Sequence, residues 1–105
     1  MSGVAVRTEM KPLSKPQITR QLSTLPGWTH RRGRLTKRYT FGSFREAISF
    51  MVRVAFEAEE LNHHPTWENT YRTVTIHLTT HDQDNQVTRK DTDLAKRIEA
   101  VAWVD

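Results

Sequence analysis

Along this chain the spacing of apolar side chains switches between three-to-four and two, and each switch marks an element. Ile18, Leu22 and Leu25 recur at helical spacing behind Ser14-Lys15-Pro16-Gln17. Ser14 can cap that helix, Gln17 can complete a capping box, and Pro16 is tolerated in the first turn. Pro26-Gly27 stops it. Period two then takes over in Trp28 to Arg32 and Leu35 to Phe41, two strands of a hairpin turning at Gly33. Leu35, Tyr39 and Phe41 share a phase that Lys37 interrupts. Ser43, with Glu46 three residues on, caps a long helix over Phe44 to His63. Its stripe of Phe44, Ala47, Ile48, Met51, Val54, Ala55, Ala58 and Leu61 is the face expected to pack on a sheet. A narrower flank holds Val52, Phe56, Glu59 and His63. Its two large apolar residues are not needed by the stripe, so the flank either lies under a loop or meets another subunit.

Pro65 pushes His64 out of helical geometry, so the long helix should end about there. Trp67 to Tyr71 predicts a short strand, and Arg72 to Thr80 a clear one, with Val74, Ile76 and Leu78 inward and Thr73, Thr75, His77 and Thr79 outward. After His81-Asp82 comes a polar loop, Gln83 to Lys90. Asp91 or Thr92 is expected to cap a last helix, with Leu94, Ala95, Ile98, Val101 and Ala102 as its apolar face. The order α-β-β-α-β-β-α predicts an α+β fold: a four-stranded antiparallel sheet with three helices packed on one face. Residues 1 to 12 show no periodicity and read as a flexible tail, which leaves 13 to 105 as a single domain.

Composition narrows the chemistry. With no cysteine among 105 residues, disulfides, thiolate catalysis and thiolate metal sites are excluded. No apolar run approaches the ~20 residues a membrane span needs. The N-terminal stretch lacks a leader pattern, so the expected location is the cytoplasm. The net charge of +4 raises the question of a nucleic-acid partner. However, the basic residues are spread, and their densest group (Arg31, Arg32, Arg34, Lys37, Arg38) falls on the hairpin, where a solvated surface is the expectation. No nucleic-acid and no membrane partner is expected.

His63 and His64 are adjacent, and the strand ends between His77 and His81, so neither pair suits a structural zinc ion, and no metal is expected. Neither a serine elbow nor a glycine-rich phosphate loop is present. General acid–base chemistry remains. His63, His64 and His81 are the candidate proton-transfer groups, with Glu59 and Asp91 as orienting acids and Trp67 as a flat wall, an arrangement suited to a planar heteroaromatic substrate. Glu59 lies four residues before His63, within reach across one helical turn, where a carboxylate could fix the imidazole's tautomer. The alternative is that these histidines cap helix and strand ends and touch solvent, as is expected of His30 and His77.

The run Glu59-x-x-x-His63-His64-Pro65, followed by Tyr71, His81 and Asp91, resembles the signature of the pterin-4a-carbinolamine dehydratases. Pro26-Gly27-Trp28, Phe44-x-x-Ala47 with Phe50-Met51, Pro65-x-Trp67, Thr79-Thr80-His81 and Asp91-x-x-Leu94-Ala95 also look like that family, so the resemblance spans residues 13 to 104. It implies dehydration of 4a-hydroxytetrahydrobiopterin to the quinonoid dihydropterin, without a metal or redox cofactor. It implies His63 and His81 as the acid–base pair at the hydroxyl, and His64 as the residue that holds the pterin and assists the nitrogen proton. Glu59 would then orient the site, with Trp67 and Asp91 as wall and polar rim. It also implies a homodimer or homotetramer, for which the Val52–Phe56 flank is the fitting contact. Asn62 is a departure, since some members carry aspartate there; it removes a charge from the substrate site but no required proton-transfer group. A non-catalytic relative, acting as a dimerisation cofactor or assembly scaffold, is the alternative.

Overall fold

The structure, a computed structural model, describes residues 11–103. Most of the expected tail, residues 1 to 10, lies outside the described residues. Leu13 is already tied down, its N–H donating to the Val87 carbonyl at 2.8 Å. The first helix, α1 (Lys15–Leu22), starts as expected. Ser14 and Gln17 close the capping box reciprocally, and Pro16 sits in the first turn. It stops at Ser23, one turn earlier than its apolar spacing suggests, and Leu25 is buried from the turn beyond it.

Four strands follow the expected order: β1 (Thr29–Arg31) and β4 (Thr73–Leu78) are shorter than expected, and β2 (Arg34–Thr40) and β3 (Thr66–Thr70) start and end one residue earlier. All pairings are antiparallel and the spatial order is β1-β2-β4-β3. Tyr71, expected at the end of a strand, instead makes the β3–β4 turn with a left-handed φ of 50°. Strand register puts Leu35, Lys37 and Tyr39 of β2 beside Leu78, Ile76 and Val74 of β4 on the helix-covered face. Lys37 therefore keeps the phase that it was expected to interrupt. It can do so because its ammonium is bonded at 2.6 Å to both Glu99 and the Pro26 carbonyl.

The long helix, α2 (Phe44–Leu61), has Ser43 as its cap, accepting from the Glu46 N–H. Its buried line is Ala47, Phe50, Val54 and Ala58, whereas Phe44, Ile48 and Ala55 of the expected stripe stay exposed. Phe50 sets that rotation. Its ring is fully buried and meets Tyr39 and Phe41 at centroid distances of 4.7 and 4.9 Å. Replacing such a ring by alanine costs about 3–5 kcal/mol, enough to decide which face turns inward. The last helix, α3 (Arg89–Val101), packs Leu94, Ala95 and Ile98 into the same core. Among the described residues, no helix is long and apolar enough to cross a membrane.

The uncovered face of the sheet carries Arg31, Arg34, Thr36, Thr75 and His77. His77 is not simply solvated: its Nδ1 lies 2.8 Å from the Thr36 hydroxyl. Burial, then the nearby Arg34 charge, hold its imidazole below the usual range, against an opposite pull from Glu68.

Candidate functional site

Two helix ends and a strand end build the site. At the end of α2, Asn62 takes a left-handed conformation (φ 51°, ψ 44°). Its N–H donates to the Glu59 carbonyl, and the His63 N–H reaches back to Ala58 at 3.0 Å, the pairing of a Schellman stop. Asparagine tolerates left-handed φ better than most residues. The helix therefore ends two residues earlier than Pro65 alone would require, and His63 leaves the helix axis.

That reversal changes the partners. The expected Glu59–His63 contact is not made, because the two no longer share a helical face. His63 Nε2 instead donates to Asp91 Oδ1 at 2.6 Å, while His64 Nε2 donates to Glu59 Oε1 at 2.8 Å. On the third histidine, Nδ1 donates to Asn85 Oδ1 at 2.7 Å. Each imidazole thus has one nitrogen held by a side chain; among the described residues the other makes no hydrogen bond.

Asp91 or Thr92 was expected to cap α3; the cap is Thr88, and Asp91 is the third helical residue. Its carboxylate completes a capping box by accepting from the Thr88 N–H at 2.9 Å, and it also accepts from the Thr80 hydroxyl at 2.8 Å. The carboxylate is fully buried, yet every lone-pair direction used is met by a donor, so its desolvation is compensated. The Thr-x-x-Asp spacing of a capping box was present in the sequence, and the run before Asp91 read as polar loop concealed it. Thr80 and Thr88, buried and 2.8 Å apart through their hydroxyls, also escaped sequence reasoning because threonines are common at strand and helix ends.

Asn62, His63, His64 and His81 line one open depression of about 400 Å³, together with Pro65, Thr66, Thr79, Thr80, Asp82 and Lys90. Lys90 is a cation on the rim that sequence reasoning passed over. Glu59 and Trp67 do not line this depression. They face an apolar hollow of about 470 Å³ with Ala55, Phe56 and Ala58. His64 and Pro65 border both spaces and form the wall between them. Chemically, the first can move protons at a polar ligand, and the second can take a flat apolar surface. Among the described residues, no cluster of three or more metal-ligating side chains occurs.

Known proteins resemble the chain along almost its full length. The family model described as pterin 4 alpha carbinolamine dehydratase matches residues 11–101. A protein of Opitutus terrae, provisionally named a pterin-4-alpha-carbinolamine dehydratase, is 55% identical over 92 residues, covering 88% of this chain and 95% of its own. One from Prochlorococcus marinus strain MIT 9303, with the same provisional name, is 48% identical over 86 residues, 82% of this chain and 88% of its own. The crystal structure of a transcriptional coactivator/pterin dehydratase from Brucella melitensis matches with a TM-score of 0.83 at 35% identity, covering 88% of this chain and 99% of that one. A pterin dehydratase-like protein identified as a RuBisCO assembly factor in the alpha-carboxysome has a TM-score of 0.61 at 24% identity, over 74% of this chain and 89% of that one. That likeness is one of fold.

Proposed function

Because the chain belongs to the pterin 4 alpha carbinolamine dehydratase family, we propose that it dehydrates 4a-hydroxytetrahydrobiopterin to the quinonoid dihydropterin in the cytoplasm, within tetrahydrobiopterin recycling. The observation that carries this proposal is one depression lined by three histidines, each held at one ring nitrogen by a side chain. Dehydration needs two proton movements. One proton goes to the 4a-hydroxyl, and the carbon–oxygen bond breaks with its electron pair on the departing water. One proton leaves a ring nitrogen, whose bonding electrons form the new carbon–nitrogen double bond. No electrons are exchanged with an outside group, so no redox cofactor is required. Imidazoles suit both movements near neutral pH.

In this mechanism His63 and His81 serve the hydroxyl, and His64 holds the pterin and assists the nitrogen proton. Asp91 orients His63, and Glu59 orients His64. Asn62 supplies a neutral polar contact, and Trp67 a flat wall beyond His64. Stopped-flow breakdown of 4a-hydroxytetrahydropterin tests the proposal as a rate ratio with and without the protein, since the intermediate also dehydrates unaided. A large acceleration supports the enzyme. No acceleration from folded protein removes it.

The surface of α2 favours one further assignment. Phe44, Ile48, Val52 and Phe56 recur every fourth residue and are all exposed, Phe56 by 70%. We read this line as a contact between copies in a homodimer or homotetramer, because an apolar row of that length is rarely left to water. Sedimentation of Phe56→Asp against the native protein decides it: a shift to lower mass is expected, and equal masses would refute it. The same row also suits the alternative of a non-catalytic binding protein of this fold, which the stopped-flow assay separates from the enzyme.

A further inference from the structure

Asn85 was no part of the sequence signature, and its geometry singles it out. It sits at a left-handed φ of 57°, directly after Asp84 at 55°, in the loop between β4 and α3. That loop is closed at its base by a bridge between Thr80 and Gln86, with the Thr80 N–H donating to the Gln86 carbonyl at 3.0 Å. Within it, Gln83 donates to Thr80 and Gln86 to Gln83, so the backbone around Asn85 is bonded on both sides. From behind, the β1–β2 turn supports it. A Cβ built on Gly33 would come within 2.2 Å of the Asn85 carbonyl oxygen, and the Gly33 carbonyl accepts from the Thr79 hydroxyl at 2.7 Å. Only glycine permits that approach. The basic hairpin therefore acts at its tip as a buttress for the loop.

The side chain of Asn85 accepts from His81 Nδ1 at 2.7 Å, and His81 lines the depression whereas Asn85 does not. We propose that Asn85 is a positioning residue that fixes the neutral His81 ring in the tautomer with Nδ1 protonated and the Nε2 lone pair free to accept a proton. An amide is suited to this task. Turned with its oxygen to the ring, it favours the same tautomer as a carboxylate would, but adds no charge beside the ring. The contrast with His63, which is held through Nε2 by a buried carboxylate, is then functional: the two histidines offer opposite nitrogens from different partners. This inference rests on the proposed role of His81 in proton transfer, but its central claim concerns a tautomer that can be observed without turnover.

The test uses Asn85→Gly, because glycine accepts the left-handed backbone and removes only the side chain. Asn85→Asp restores an acceptor. Ring ¹⁵N chemical shifts of His81 are recorded above its titration range, alongside kcat and KM for 4a-hydroxytetrahydropterin. The expected result is one dominant Nδ1–H tautomer in the native protein and in Asn85→Asp, and a mixture in Asn85→Gly. Asn85→Gly should lower kcat by roughly tenfold, the lower end of what losing an orienting partner costs at metal-bound histidines, with KM little changed. Identical His81 ring shifts in the native protein and Asn85→Gly would overturn the proposal. A tautomer change on Asn85→Gly, with a native protein that shows no dehydratase activity, would uphold the positioning and refute the enzymatic function instead.

Discussion

Two of the carboxylates on helix α3, Asp91 and Glu99, lie eight residues or about 12 Å of helix apart, and each collects three donors. Asp91 takes His63, the Thr80 hydroxyl and the Thr88 N–H. Glu99 takes Trp28 Nε1, Lys37 Nζ and the Tyr39 hydroxyl, all on one oxygen. The first network opens at one end, because His63 itself lines the depression. The second closes on itself and joins the β1–β2 hairpin to the helix layer. In the second network, burial and hydrogen bonding move the titration of two members. Burial, then the bond to Glu99, drives the Tyr39 phenol above its ordinary range. Burial pushes the Glu99 carboxyl up, but the Lys37 and Tyr39 hydrogen bonds outweigh it and leave the group below its usual value. A network of charge-assisted bonds is therefore no sign of function by itself. What separates the two is whether one member still faces a space that a ligand can fill.

Cutting the open end should have the largest effect. His63→Ala is expected to lower kcat for 4a-hydroxytetrahydropterin by about 10²-fold or more, the usual scale for an acid–base group. Asp91 keeps its two other donors, so stability should fall by only about 1–2 kcal/mol. Single-turnover rates and thermal melts on the same preparation check both halves. Unaltered turnover would remove His63 from the mechanism.

Cutting the closed network should do the reverse. Glu99→Ala leaves an ammonium, a phenol and an indole N–H without their shared acceptor. The expected cost is about 2–3 kcal/mol, held to that range because Lys37 and Glu99 remain partly in contact with water. For a domain of this size that lowers Tm by roughly 10 °C. Turnover below the melting range should match the native protein, and a selective loss of kcat would erase the distinction between the two carboxylates.

The difference between the networks also explains what the sequence disclosed. Element order, the Ser14 and Ser43 caps and the inward set of β4 were legible, because period and capping act locally. The pairing of imidazoles with carboxylates was not. It depends on the left-handed turn at Asn62, which a one-residue change in helix length redirects. Glu59 and Asp91 were both recognised as orienting acids, but Glu59, which helical spacing paired with His63, holds His64, and Asp91 holds His63. Lys37 read as a break in a strand because its partner, Glu99, is 62 residues away. Contacts of that range leave no periodic trace. Asn85 had no signal at all, since polar loops commonly contain asparagine.

Alkaline titration sharpens the comparison at smaller amplitude. The folded-state pKa of Tyr39 lies above its unfolded value of about 10, so the unfolded chain loses that proton first. The stability contributed by the protonated phenol is fully present below about pH 10 and is lost as pH rises beyond it. Tyr39→Phe should therefore flatten the fall in stability above about pH 10. An equal slope in native and variant proteins, measured by urea midpoints, would show that the Glu99 network does not hold the phenol protonated.

The smallest effect should come from the third carboxylate. The Glu59–His64 pair has a hydrogen-bond length close to that of His63–Asp91, 2.8 against 2.6 Å. Its environment is opposite: the side chains are 79% and 59% exposed, against 0% and 11% for Asp91 and His63. Exposed pairs are screened by water and salt, and their two side chains lose rotamer freedom when they meet. Glu59→Gln keeps an acceptor oxygen while removing the charge, so stability should change by less than about 0.5 kcal/mol. Any loss in turnover should stay below about tenfold and shrink as salt is raised, because a screened charge contributes less. If Glu59→Gln instead cost as much as His63→Ala, regardless of ionic strength, burial would not be what separates the two histidine–carboxylate pairs. His64, at the wall shared by the depression and the apolar hollow, would then be the principal proton-transfer group.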